Sequence, residues 1–394
     1  MRVFPLVSCP RVVQIVSFAL AALYSGLWWW RWFRSGAESK MWPQLGLFSG
    51  VMCVGSIVGT VAWASNMVSF ALYFEYHATN VNSQEIQEKF ASSKRWLAVF
   101  FLTYSVEFLC VIVPKLILLG SLVRNASSSS GLQVPEMSVV RRKWHGPILL
   151  TMYKVMAGVV VICSVSGMIA YVVASVYLVQ TANLHDQFAL AYEIHGNSTE
   201  ASDLLEKEGL ANSKADTASA IQNIIEAFVL VLISVAYVVL VPLSVSIYRV
   251  AERVASCALM TSESRSHRNA DDLMRESIVA DTKQIAVEQR QRLVIACIIV
   301  LITFPVRATF DILRAYSRFN VYHDPHCDDC GSCQSEQHLI DVWLNYLPEI
   351  RPIVVAISSP LPLIVSLWLV TAVQSRANAI STKLQRVGRL TSDL

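Results

Sequence analysis

Charge is scarce in this sequence. Of 394 residues only 15% are Asp, Glu, Lys or Arg, against 54% hydrophobic. A soluble domain carries about 25% charged residues. The deficit argues against a soluble globular chain and for a polytopic membrane protein. Catalytic signatures are lacking as well. The chain holds no Walker loop, no His-Glu-x-x-His and no nucleophile elbow. Those patterns would cradle a nucleotide, bind a catalytic zinc or activate a serine. The expectation is a protein that is not an enzyme and uses no cofactor. No repeat relates the two halves, which weakens a transporter built from inverted repeats.

What the sequence has is long apolar runs. A helix needs roughly 20 mostly apolar residues to cross the hydrocarbon core. Seven segments qualify, near 12–30, 45–72, 96–123, 148–179, 224–248, 293–313 and 350–373. Backbone polar groups in lipid must be bonded internally, so these runs are expected to be helices. The fold class read here is all-α: a polytopic, seven-transmembrane-helix bundle in one membrane domain. Lys and Arg concentrate in cytoplasmic loops. The segments 31–44, 124–147, 249–292 and the tail from 375 hold 19 of them; 1–11, 75–95, 180–223 and 314–349 hold 9. The amino terminus is therefore expected outside and the carboxyl terminus inside. A cleaved signal peptide at 1–22, with Ala19-Leu20-Ala21 as its cleavage site, is the competing reading. It would move the basic 249–292 loop outside, against the charge count. On the uncleaved topology Asn197, in Asn197-Ser198-Thr199, can accept a glycan, and Asn125, on the inner side, cannot.

Within the spans a few polar residues stand out. Trp28-Trp29-Trp30-Arg31-Trp32 ends the first span and anchors it at the interface. Gly55 and Gly59 form a Gly-x-x-x-Gly pair that permits close helix contact. Glu107 falls near the middle of the third span, where a carboxylate must face the bundle or water. It is read as a ligand contact or proton-linked switch, or as a neutral Glu bonded to a neighbouring helix. Arg307 and Asp311 in the sixth span are four apart and share a face. They line an outer cavity on one reading and form a local snorkelling pair on the other. Pro305 in the sixth span, and Pro360 and Pro362 in the seventh, interrupt the helical hydrogen-bond ladder and are candidate hinges. The basic 249–292 loop suits anionic lipid heads or a cytosolic signalling partner, or simply records topology. Its ends read as extensions of the flanking helices.

The 314–349 segment contains 323-HDPHCDDCGSC-333. On an oxidising outer side disulfides persist. Cys327, Cys330 and Cys333 make an even set with Cys9, and one bridge to Cys9 would tie the first span to the sixth and seventh. Cys-x-x-Cys with nearby His also suits zinc, but zinc sites of known type draw on two separated ligand pairs. A disulfide is the leading reading; metal or free thiols are the alternatives.

Three stretches, 103-TYSVEFLCVIVPKLILL-119, 226-EAFVLVLISVAYVVL-240 and 342-VWLNYLPEIRPIVVAISSPLPLIVSLW-368, resemble a group of uncharacterised multi-span membrane proteins of algae and other unicellular eukaryotes. In that group a Cys-containing loop also precedes the last span. The stretch 304-FPVRATFD-311 is similar to the seven-span tobamovirus-multiplication-protein family. Marks of other seven-span classes are missing. The seventh span has no lysine for a retinal Schiff base. Neither Asp-Arg-Tyr at the inner end of the third span nor Asn-Pro-x-x-Tyr in the seventh occurs. The function expected is a receptor-like integral membrane protein of the plasma membrane or an endomembrane. Its ligand would sit near Glu107 and Arg307. A channel or transporter with those residues lining the path, or a membrane scaffold, is the alternative. Membrane lipids are the expected partners, and no nucleic acid.

Overall fold

The computed structural model describes residues 4–34, 43–78, 84–128, 139–195, 198–263, 270–320, 353–355, 358 and 364–365. Those residues form six long helices: α1 (Phe4–Arg34), α2 (Pro43–Ala78), α3 (Gln84–Ser128), α4 (Val139–His195), α5 (Thr199–Glu263) and α6 (Ala270–Asn320). The described residues of 350–373 are helical too. The all-α expectation holds. Among the described residues five helices are long and apolar enough to cross a membrane, through Arg11–Arg34, Gly46–Ala78, Ile86–Gly120, Leu150–Ile194 and Thr199–Leu240. The sixth apolar run lies inside α6.

The outward faces of the helices are apolar, unlike those of a water-soluble bundle, and several polar groups are buried. On α1, Arg11, Gln14 and Ser25 are buried, while Val13, Leu20, Leu23 and Leu27 are each more than half exposed. On α4, Ser164 and Ser175 are buried and Ile162, Ile169 and Val176 face outward. On α5, Gln222, Asn223 and Glu226 are buried and Ile221, Ile224 and Phe228 are exposed. In water this arrangement would expose apolar surface and bury polar groups, both at a cost. In lipid it is the stable one, because polar groups then bond to one another. Arg11 illustrates this: its Nε donates to Asn66 Oδ1 at 3.3 Å and its guanidinium lies 4.0 Å from the Phe70 ring.

One difference from the sequence reading stands out. The segments 75–95 and 180–223, read there as outer loops, are largely helical. α4 continues to His195 and α5 begins at Thr199, so the described residues of 180–223 are two helical arms. Ser198 caps the second arm: its Oγ accepts from the Ala201 amide at 3.3 Å. Ala201, Ala211, Ala215 and Ala218 recur at helical spacing and are buried. Alanine is the best helix former but a weak hydrophobe, so this stretch reads as polar while folding as helix. The basic 249–292 segment is helical on both sides of 264–269, in line with the expected extensions.

The chain divides into two compact units. One comprises Met1–Pro114, Gly158–Leu232 and Thr303–Leu361; the other comprises Lys115–Ala157, Ile233–Ile302 and Pro362–Leu394. The first unit has an aromatic core. Trp63 meets Phe100 edge-on at 5.5 Å, and Phe101 stacks on Tyr171 at 4.8 Å. The Gly-x-x-x-Gly pair serves close contact in this core. A Cβ on Gly55 would lie 2.5 Å from Cys110 Cβ, and one on Gly59 would lie 2.8 Å from the Phe18 ring. At the start of α3 and end of α4, His185 bonds Glu208 Oε2 at 2.9 Å and Gln87 Oε1 at 2.7 Å. In the second unit Tyr153 Oη donates to the Leu116 carbonyl at 2.7 Å, and Gly120 makes room for that hydroxyl.

Candidate functional site: a buried arginine among carboxylates

Within the first unit, α3, α5 and α6 each bring polar groups to one point. Arg307 of α6 is 1% exposed. Its Nη2 donates to Glu226 Oε1 of α5 and, at 2.6 Å, to the Tyr104 hydroxyl of α3. The Tyr104 hydroxyl in turn donates to Glu226 Oε1 at 3.1 Å. Arg307 Nη1 reaches Ser358 Oγ at 3.5 Å, and Nε lies 3.9 Å from Asp311 Oδ2. The guanidinium carbon also stands 5.8 and 5.7 Å from the Tyr104 and Phe108 rings, in cation–π range. Glu107, one turn from Tyr104 on α3, is fully buried behind Gly59 and within electrostatic range of Arg307.

Removing a guanidinium and a carboxylate from water costs several kcal/mol per ion. Only close geometry and further hydrogen bonds offset that. Arginine suits the position because its planar fork serves several acceptors at once, here a carboxylate, a phenol and a serine. Losing one partner strands the others in a low-dielectric interior. The cluster is therefore a strong joint between three helices, and its pairing pattern depends on the charge each carboxylate carries.

The structure brings together Glu107, Arg307 and Asp311, the three residues singled out from the sequence. Arg307 and Asp311 pair within α6, as their spacing implied. It does not leave them lining an open outer cavity: each is 6% exposed or less. Sequence reasoning missed Glu226 and Tyr104. Glu226 sits two residues into the predicted fifth span and reads as a residue at a helix edge. The signal was there, because Glu226 is the lone ionisable carboxylate within 224–248. Pro305 lies inside α6, two residues before Arg307. Pro360, Pro362, Asn197, Cys327, Cys330 and Cys333 lie outside the described residues, as does the Cys9 side chain. Cys53, Cys110, Cys163 and Cys297 are free thiols. Among the described residues no group of three His, Cys, Asp or Glu is placed to hold a metal ion.

The sequence matches no protein-family model and no curated protein, and the structure matches no solved structure.

Proposed function

We propose that the chain is a receptor-like, seven-span integral membrane protein, amino terminus outside, whose switch is the Glu226–Arg307 pair. The observation that carries this reading is the burial of that pair between α5 and α6, with Tyr104 of α3 bonded to both. Such a joint has two discrete arrangements, paired and unpaired. A ligand shifts the balance only through different affinity for the two. Pro305 frees the carbonyl one turn earlier in α6 and supplies a hinge beside the pair. Pro360 and Pro362 are the corresponding hinge candidates in the seventh span. The basic 249–292 segment, which continues α5 and leads into α6, would present the change to a cytosolic partner or to anionic lipid. A glycan on Asn197 and a disulfide among Cys9, Cys327, Cys330 and Cys333 complete the proposal.

One observation favours a transporter as the second reading. Among the described residues three carboxylates, Glu226, Asp311 and Glu107, lie in electrostatic range of Arg307. That is more acid than one guanidinium balances, and transport sites for protons or cations are built this way.

The test uses the full chain in lipid vesicles, with spin labels on unnatural residues at the lipid-facing positions Val99 of α3 and Ile312 of α6. Arg307→Gln should change the distance between the labels, because the joint is lost. An unchanged distance overturns the switch. Sustained proton flux in the wild type that Glu107→Gln abolishes would replace the receptor reading by the transporter one.

A further inference from the structure

The face of α5 that ends at Glu226 stays polar for several turns. Asp216, Ser219, Gln222, Asn223 and Glu226 recur at three- and four-residue spacing, so they share one side of the helix. Over these ten residues the helix rises about 15 Å. Ser219, Gln222, Asn223 and Glu226 are each 1% exposed or less, whereas the Asp216 side chain is 30% exposed. The face therefore has an open end and a closed end.

Neighbouring helices supply polar groups along it. At the open end Arg318 of α6 lies 3.7 Å from Asp216 and donates to Ser219. Lys94 of α3 donates to Asn212 at 2.9 Å, and Asn212 donates to Asp216 at 3.2 Å. Further in, Tyr171 of α4 donates to Asn223 Oδ1 at 3.3 Å. At the closed end Glu226 bonds Tyr104 of α3 and Arg307 of α6, and Glu107 of α3 and Asp311 of α6 stand in electrostatic range of that arginine. Past Glu226 the next turn is apolar, with Val229 and Leu230 buried.

Between the two ends lie buried polar atoms with no partner among the described residues. They are both amide atoms of Gln222, Nδ2 of Asn223 and Oε2 of Glu226. Buried polar groups are almost always bonded, and when protein does not serve them ordered water does. Four such atoms lie within two turns of one helix face. They offer both donors and acceptors, as a bound water needs. The Gln222 amide is packed against Gly167 of α4, and a side chain at 167 would displace it.

We propose that this face of α5 is a proton path. Water bound at Gln222, Asn223 and Glu226 connects the carboxylate of Glu226 to solution at Asp216, and the path ends at Glu226. A proton taken from solution moves along the bound water to Glu226 Oε2, the oxygen not engaged by Arg307. The carboxylate becomes a neutral acid, and one charge is lost from the pair. Arg307 is then left to Asp311, Tyr104 and Ser358. On deprotonation the proton returns to the same side. This inference rests on the switch reading of the Glu226–Arg307 pair and adds that protons are a ligand of that switch.

The experiment is a pH jump on the full chain in vesicles of uniform orientation, from about pH 7 to about pH 3, across the ordinary carboxylate range, read by infrared absorbance of the protonated carboxyl group. The Glu226 band is identified as the one that Glu226→Gln removes. A jump on the side where Asp216 opens should raise this band promptly; a jump on the other side should not. Gln222→Leu should slow the rise about tenfold, the factor that a lost hydrogen bond of ordinary strength produces, with the final amplitude kept. Ser219→Ala, a smaller change that the fold tolerates, should slow it in the same direction. The path is overturned if Gln222→Leu and Ser219→Ala rise at the wild-type rate, or if both sides drive the band equally. A wild type with no Glu226 band also overturns it. The label distance in Arg307→Gln reports on the switch alone, so either reading can fail without the other.

Discussion

Arg307 shows what a single residue decides here. It serves Glu226, Tyr104 and Ser358 and stands beside Asp311, all in a core that excludes water. Arg307→Leu strands those acceptors and should destabilise the protein by about 3–5 kcal/mol, the cost of breaking a buried ion pair by removing one partner. Glu226→Leu added to it should restore part of the loss, because the stranded carboxylate goes as well. Unfolding midpoints of the two single variants and the double variant in detergent measure this coupling; strictly additive losses would show that the pair is no energetic unit. Half of this joint was legible in the sequence. Arg307 and Asp311 were visible through their four-residue spacing, and Glu107 through its position in the middle of an apolar run. Glu226 was hidden because span edges are the least certain feature of a hydropathy reading. Tyr104 was hidden because a tyrosine in an apolar run looks like ordinary packing until its hydroxyl has a partner.

At the scale of elements, small residues set how closely helices approach. Cys110 of α3 occupies the space a methyl group at Gly55 of α2 would need. Gly55→Ala should therefore cost about 1–3 kcal/mol, the usual penalty for overpacking. Cys110→Gly in the same chain should recover part of it, less the roughly 1 kcal/mol that a glycine costs inside a helix. Thermal midpoints of the three variants decide the point, and no recovery would mean that the contact does not set the α2–α3 spacing. The second arm of the α4–α5 pair depends on its cap. Ser198→Ala removes the acceptor for the Ala201 amide and should cost about 1 kcal/mol locally. Hydrogen exchange at Ala201 should then speed up by about fivefold, with the α5 amides beyond the next turn unchanged. These arms were the part of the fold the sequence concealed. Apolar windows locate helices that must dissolve in lipid, but the 180–223 arms pack through alanine and polar groups. Their helical period is present in the buried set Ala201, Glu208, Ala211, Ala215, Ala218 and Gln222, and it has little hydropathy to announce it.

At the scale of the molecule the fold makes the direction in which the helices run measurable. If Glu226 lies at mid-bilayer, the 27 residues of rise from Thr199 amount to about 40 Å. Half of the hydrocarbon core is about 15 Å, so the start of α5 stands well clear of the lipid surface. On the expected topology, in which the Lys- and Arg-rich segments 31–44, 124–147, 249–292 and the tail are cytoplasmic, the start of α5 would be on the non-cytoplasmic side. In microsomes Asn197 should therefore carry a glycan that Asn197→Gln removes, while Asn125→Gln changes nothing. That outcome puts the mouth of the proton path and the 323–333 cysteine cluster on the oxidising side, where a disulfide is stable. Sugar on Asn125 instead reverses every assignment of side. The amino terminus is then cytoplasmic, Asp216 opens to the cytosol, and the cysteines meet a reducing compartment in which metal binding outcompetes a disulfide. The Glu226–Arg307 joint is the same in both cases. What the glycan decides is whether the protons that reach it report on the outside of the membrane or on the cell interior.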